Sequence, residues 1–121
     1  MKTDQIPFQT DTRQAVAAVL LNEPGSSPII LVCEHASNHI PPAFNDLGLS
    51  RSTLESHIAW DPGALDVTMK MGNLLDAKIV TTSVSRLVYD CNRPPETADA
   101  IPEKSESYEI PGNQGLNWTS R

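Results

Sequence analysis

The residues equipped for chemistry fall into three stretches. Glu34, His35, Asn38 and His39 form a polar cluster directly after the apolar run Ile29–Cys33; Asp61 stands before Pro62; and Arg86, Asp90, Asn92 and Arg93 crowd together further along. Brought to one cleft, they would supply a histidine, carboxylates and two guanidinium groups. That inventory suits a divalent metal with an activated water beside a site for an anionic substrate.

Each residue also has a plainer reading. His35 can be an ordinary loop histidine, since no second ligand stands at an established spacing such as H-E-x-x-H. Asp61 before Pro62 reads as a helix N-cap with proline in the first turn, although one carboxylate oxygen can cap while the other coordinates. Arg86 can simply pair with Asp90, because alternate residues of a strand share a face. Asn92-Arg93 before Pro94-Pro95 can be turn chemistry alone. His39 and His57 read as surface residues.

Other chemistries are less well supplied. Cys33 and His35 would share a strand face, but a cysteine that ends an apolar run reads as buried and inert rather than as a thiolate. Ser37 lacks the flanking glycines of a nucleophile elbow. Cys33 and Cys91 lie far apart with no C-x-x-C spacing, which argues against a zinc ribbon, a redox motif or a disulfide framework.

The elements that would position these groups are legible from patterning. An apolar run from Ala15 to Leu21 leads into the turn cluster Asn22–Ser27, followed by Pro28–Cys33, rich in β-branched residues: strand, turn, strand. The second strand does not alternate, so it is expected to be buried on both faces. The polar cluster then lies at the carboxyl end of a central strand, where open α/β sheets bind ligands. Pro41-Pro42 starts about one helical turn that Gly48 ends, and Ser52-x-x-Glu55 predicts a capping box for a short helix to about Ile58. From Asp61, the recurrence of Ala64, Val67, Met71, Leu74 and Leu75 predicts a longer helix with one apolar stripe laid on a sheet. Ala77–Thr82 and Arg86–Cys91 read as further strands. Residues 1–14 read as a flexible N-terminus, and 94–116 as an extended surface loop. The fold class expected is α/β, a mixed sheet with flanking helices, and incomplete.

Composition bounds the rest. With nine Lys and Arg against fifteen Asp and Glu, the net charge is 9 − 15 = −6, and only 5% of residues are aromatic. Neither a basic surface nor a stacking platform for nucleic acid is supplied. No apolar run approaches the roughly 20 residues of a membrane helix, and the first residues lack a signal-peptide pattern. The default compartment is therefore the cytoplasm.

Four segments in order carry a resemblance. Leu31-Val32-Cys33-Glu34-His35-Ala36-Ser37-Asn38-His39-Ile40-Pro41, His57-Ile58-Ala59-Trp60-Asp61-Pro62-Gly63-Ala64, Ser85-Arg86-Leu87-Val88-Tyr89-Asp90-Cys91-Asn92-Arg93-Pro94 and Ile110-Pro111-Gly112-Asn113-Gln114-Gly115-Leu116 together resemble the N-formylglutamate amidohydrolase family, over about Pro28 to Leu116. The resemblance implies an α/β fold similar to the zinc carboxypeptidases, and hydrolysis of an N-formyl amino acid to formate and the free amino acid. It makes His35 a metal ligand, with Asp61 at a position where family members carry an acidic residue or a histidine; the metal is zinc. Arg86, Asn92 and Arg93 match the segment S-R-x-V-x-D-x-N-R-P and suit a substrate carboxylate, with Asn38 a further substrate contact. Glu34 is the adjacent carboxylate for general-base duty. Zinc carboxypeptidases use H-x-x-E, whereas the third residue after His35 is Asn38.

Family members continue further and bring another histidine motif and another arginine. The chain alone is therefore expected to be inactive. The competing expectation is a non-catalytic module that self-associates through uncovered core, or binds a carboxylate or protein partner.

Overall fold

The protein is described over residues 17–121 by a computed structural model; the N-terminal expectation for 1–14 lies outside the described residues. Three apolar runs make one sheet: β1 (Ala18–Leu21), β2 (Ile30–Cys33) and β3 (Lys78–Thr82), in the order β1-β3-β2. β1 runs antiparallel to β3 and β2 parallel to it, so the sheet is mixed. Parallel neighbours need a crossover, and the helix α2 (Ala64–Leu75) supplies it. Among the described residues no helix is long and apolar enough to cross a membrane.

α2 lies close against the sheet at Gly72, where an added Cβ would come within 2.6 Å of Ile79 Cδ1. Side chains alternate along a strand, and Ile79 is in register with Leu21 and Leu31 and Thr81 with Val19 and Cys33, so these positions share the face that α2 covers. The other face carries a lateral row formed by Leu20, Val80 and Val32, one from each strand. That row is open, with Val32 63% exposed.

The main core lies beside the sheet rather than on it. Ile40, Leu47, Ile58, Ala59, Leu87, Val88 and Ile110 pack together, with Phe44, Leu49, Leu54 and Trp60 against them. These residues come from turns, from the 3-10 segments Pro42–Gly48 and Pro111–Asn113, and from the short helix α1 (Arg51–Leu54). The segment Pro42–Gly48 is not one helical turn closed by Gly48: Asn45, Asp46 and Leu47 already stand at left-handed φ of 49°, 51° and 53°, ahead of Gly48 at 73°. Asn113, fully buried, donates its side-chain amide to the carbonyls of Leu87 and Pro102 at 2.7 and 2.8 Å, and so holds the later chain onto this core.

Several expectations are corrected. β2 is an edge strand, not a central one, with Ile30 and Val32 exposed. The periodic stripe on α2 is not its packing face: Val67, Met71, Leu74 and Leu75 are exposed, and the residue buried against the sheet is Gly72. Leu65 and Met69, half-buried, stand on the same side of the helix as Gly72 at i, i+4, i+7 spacing, a second apolar stripe beside the one the pattern singles out. α1 is capped by Ser50, whose hydroxyl accepts from Thr53 N–H at 3.2 Å, and the helix ends at Leu54.

Arg86–Cys91 is not a strand. Ser85 Oγ accepts from Leu87 N–H at 3.1 Å and Asp90 Oδ1 from Asn92 N–H at 3.0 Å; such local side-chain bonds compete with ladder formation. The segment 94–116 is not a plain loop either. It contains a 3-10 turn at Ala98–Ala100, the hairpin β4 (Lys104–Ser105) and β5 (Tyr108–Glu109), and the turn that holds Asn113.

Candidate active site

The backbone brings the three chemical stretches together before any side chain does. Asp61 N–H donates to the His35 carbonyl at 2.9 Å, and Ser85 N–H to the His39 carbonyl at 2.8 Å. Ser85, fully buried, also donates its hydroxyl to the Ala59 carbonyl at 2.7 Å. Ser85 is thus the clasp joining the turn after β2, the turn before α2 and the Arg86–Arg93 segment.

Asp61 does not cap α2. The N-cap is Gly63, with φ 86°, and Asp61 contributes its carbonyl, which accepts from Ala64 N–H at 3.1 Å. Its carboxylate is therefore free to turn elsewhere, and Oδ2 lies 3.2 Å from His35 Nδ1. The opposite ring atom, Nε2, lies 2.7 Å from Asp90 Oδ1. Arg86 spans the two carboxylates, with Nη2 3.1 Å from Asp90 Oδ2 and Nη1 3.5 Å from Asp61 Oδ1.

The four groups differ in exposure. His35 and Asp90 are buried, at 7% and 3%, whereas the Asp61 side chain is 52% exposed. Burial pushes the Asp90 carboxyl up, but the hydrogen bonds from His35 and Asn92 and the neighbouring His35 and Arg86 charges outweigh it, leaving Asp90 below its ordinary value. Asp90 is thus an ionised acceptor, its oxygens occupied by His35, Asn92 N–H and Arg86.

The remaining candidates stand further out. Arg93 donates from Nε to Asp99 Oδ2 at 3.0 Å and from Nη1 to the Asn92 carbonyl at 2.9 Å. Asn92 joins the cluster through its backbone N–H, and its side chain is exposed. Asn38 donates its amide to the Leu54 carbonyl at 2.9 Å. Glu34 is exposed; its carbonyl, which accepts from the Thr82 hydroxyl, is tied into the structure.

Asp90 stands among the chemistry-bearing residues of the sequence, but its contact with His35 is not foreseen there, and its own reading is as a partner for Arg86. The available signal was its position two residues before Asn92, the spacing of a side chain that accepts from the backbone N–H two residues on. Among the described residues no group of three or more His, Cys, Asp or Glu is arranged to hold a metal ion. The His35 ring lies between the two carboxylates, the exposed Asp61 at Nδ1 and the buried Asp90 at Nε2.

Comparison with known proteins agrees with the four-segment pattern. A family model described as N-formylglutamate amidohydrolase matches residues 27–120. No curated protein matches the chain. A solved structure, a gene product of Agrobacterium tumefaciens, is similar at 50% sequence identity with a TM-score of 0.81, over 84% of this chain and 40% of that one. The chain thus spans less than half the length of that relative.

Proposed function

We propose that this chain, which belongs to the N-formylglutamate amidohydrolase family, carries the metal-binding and anion-binding part of a centre that hydrolyses the formyl amide of an N-formyl amino acid. The observation that carries this reading is the facing of His35 Nδ1 and Asp61 Oδ2 at 3.2 Å. Two donors that each stand about 2.0–2.2 Å from one zinc ion in tetrahedral geometry are roughly 3.3 Å apart. The pair therefore has the spacing and the chemistry of two ligands of one zinc ion. The β2–α2–β3 unit likewise supports a fold of the zinc-carboxypeptidase kind.

When bound, the metal would supply a Lewis acid that makes water nucleophilic near neutral pH. The chain's own residues do the rest. Arg86 balances the charge of Asp61 and Asp90. Arg93 has an exchangeable partner in Asp99, since exposed pairs contribute only about 0–1 kcal/mol, so a substrate carboxylate can take the place of Asp99. The Asn92 side chain is exposed and Asn38 donates its amide nitrogen to the Leu54 carbonyl, which leaves its amide oxygen for substrate. Glu34, next to His35 and exposed, is the carboxylate whose replacement by Gln tests proton transfer.

Zinc titration calorimetry tests the reading. Two protein donors fall short of the three usual in catalytic sites, so weak binding is expected, further weakened in His35→Ala and Asp61→Asn. Affinity unchanged in both variants would remove the site. For the same reason no formate release from N-formylglutamate with added zinc is expected of the 121-residue chain alone.

A second reading, a self-associating module, is favoured by one observation: the open row of Leu20, Val80 and Val32 beside an edge of β2 that no strand pairs among the described residues. Exposed apolar surface of this kind marks an interface. Light scattering should then give a mass above one chain that falls in Val32→Lys; a monomer at all concentrations would sink this reading.

A further inference from the structure

Independently of the hydrolase reading, we infer that the groove between the turn at Glu96 and the exposed ring of Trp118 binds an arginine side chain of a partner polypeptide. Two adjoining cavities, of about 240 and 300 Å³, share Ala98, Ile101 and Leu116 as lining. The smaller is lined also by Glu96 and Trp118, and the larger by Asp99, Glu103 and Lys104. The shared lining is apolar, with Ile101 buried and Leu116 half-buried.

Both sides of the smaller cavity are fixed by local bonds. Thr97 returns to the Pro94 carbonyl with its N–H at 3.1 Å and its hydroxyl at 2.8 Å, which sets Glu96 in a turn. Asn117 caps the 3-10 segment Trp118–Ser120: its Oδ1 accepts from Thr119 N–H at 3.0 Å, and its own N–H donates to Ser120 Oγ at 3.1 Å. Glu96 and Trp118 are therefore placed before anything binds, which lowers the ordering cost of binding.

Charge identifies the occupant. Glu96, Asp99 and Glu103 line the groove against Lys104 alone. Asp99 accepts from Arg93 Nε at 3.0 Å, Glu103 Oε1 accepts from Gly115 N–H at 2.9 Å, and Lys104 Nζ lies 3.7 Å from Glu109. Glu96 has no hydrogen bond or ion pair with any described residue. The groove thus repels an anion such as the substrate proposed above and leaves one carboxylate for a cation from outside. Trp118, 47% exposed, adds the aromatic face that a cation prefers. A guanidinium can lie flat on an indole and still donate from its edge to a carboxylate, which favours arginine over lysine. Its methylene stem then covers the apolar lining. Sites for drug-sized ligands run from about 300 to 1,000 Å³, so each cavity suits one side chain, and the second takes an apolar neighbour of the arginine. Two adjacent side chains mean a polypeptide rather than a free cation.

The test is nitrogen-15 NMR of the full chain titrated with the peptide acetyl-Ala-Arg-Leu-amide, with the citrulline peptide, similar in shape but uncharged, as control. The chain has two tryptophans, and the Trp118 indole signal is the one lost in Trp118→Leu. Saturable movement of that signal and of the backbone signals of 96–101 is expected with the arginine peptide. Removing the charge with citrulline, the carboxylate with Glu96→Gln or the ring with Trp118→Leu should each weaken binding roughly 2–5-fold, the scale of one exposed ion pair or cation–π contact. Glu96→Gln breaks no bond within the described chain, so it is expected to fold as the original does and keeps the test decisive if Trp118→Leu does not fold. Equal affinity for the citrulline peptide, equal affinity in Glu96→Gln, or no saturable movement at all overturns the inference. N-acetylarginine amide binding as tightly as the peptide would assign the groove to a free cation and overturn the polypeptide occupant.

Discussion

His35 and Asp61 are joined twice, by the Asp61 N–H donating to the His35 carbonyl at 2.9 Å and by their side chains meeting at 3.2 Å. The backbone bond fixes where the side chains start, so their meeting does not depend on a long flexible reach. The tie of Asp61 to its neighbours thus runs through its backbone as well as its side chain. Its carboxylate caps no helix and is half exposed.

Asp61→Asn should accordingly leave stability within about 0.5 kcal/mol of the original, as surface substitutions usually do. Zinc affinity should fall by at least the roughly 10-fold expected when a partner of a metal site is lost. Thermal melts beside calorimetry would show the split; a large drop in melting temperature would make Asp61 structural.

Ser85→Ala should have the opposite profile. It leaves the Ala59 carbonyl and the Leu87 N–H without the hydroxyl that now serves both inside a buried clasp. Each buried group left unpaired costs about 1–3 kcal/mol, so a loss of about 2–4 kcal/mol is expected in urea unfolding. An effect below about 0.5 kcal/mol would show that the clasp is dispensable.

Gly72→Ala sets two effects against each other. Alanine in a helix interior is favoured over glycine by about 1 kcal/mol, but the new Cβ would come within 2.6 Å of Ile79 Cδ1, and Ile79 is fully buried. Overpacking of this kind costs about 1–3 kcal/mol, so net destabilisation is expected. Stabilisation would mean that α2 can lift from the sheet freely.

Acid should loosen the turn between β1 and β2. Hydrogen bonds from the Ser26 hydroxyl and N–H and from the Asn22 amide hold the Asp76 carboxyl down at about 2. A group whose folded value lies below its unfolded one contributes stability that is present above the unfolded value, near 4, and is lost as pH falls through about 2. Urea midpoints followed across that window should fall for the original chain and less steeply for Asp76→Asn. Parallel profiles would show that Asp76 contributes nothing there.

The sequence by itself determined which residue types stand ready for chemistry and where along the chain they fall. His35 after the β2 run, Asp61 before α2 and Arg86 in its segment are all set by neighbours within a few positions. Apolar runs and proline or glycine punctuation report such local preferences directly. Tertiary structure decided how those pieces face each other. Asp61 reads locally as a cap, yet Gly63 takes that role and frees the carboxylate for a histidine 26 residues away. Arg86–Cys91 has the composition of a strand, yet Ser85 and Asp90 draw the N–H groups of Leu87 and Asn92 into turns, and Asp90 meets His35 Nε2. The apolar stripe of α2 is visible in the pattern, but the face pressed to the sheet is the one with Gly72, because close approach is set by the volume that the sheet leaves. Contacts over such separations depend on shape and on competition for hydrogen bonds, and neither is written in any single window of sequence.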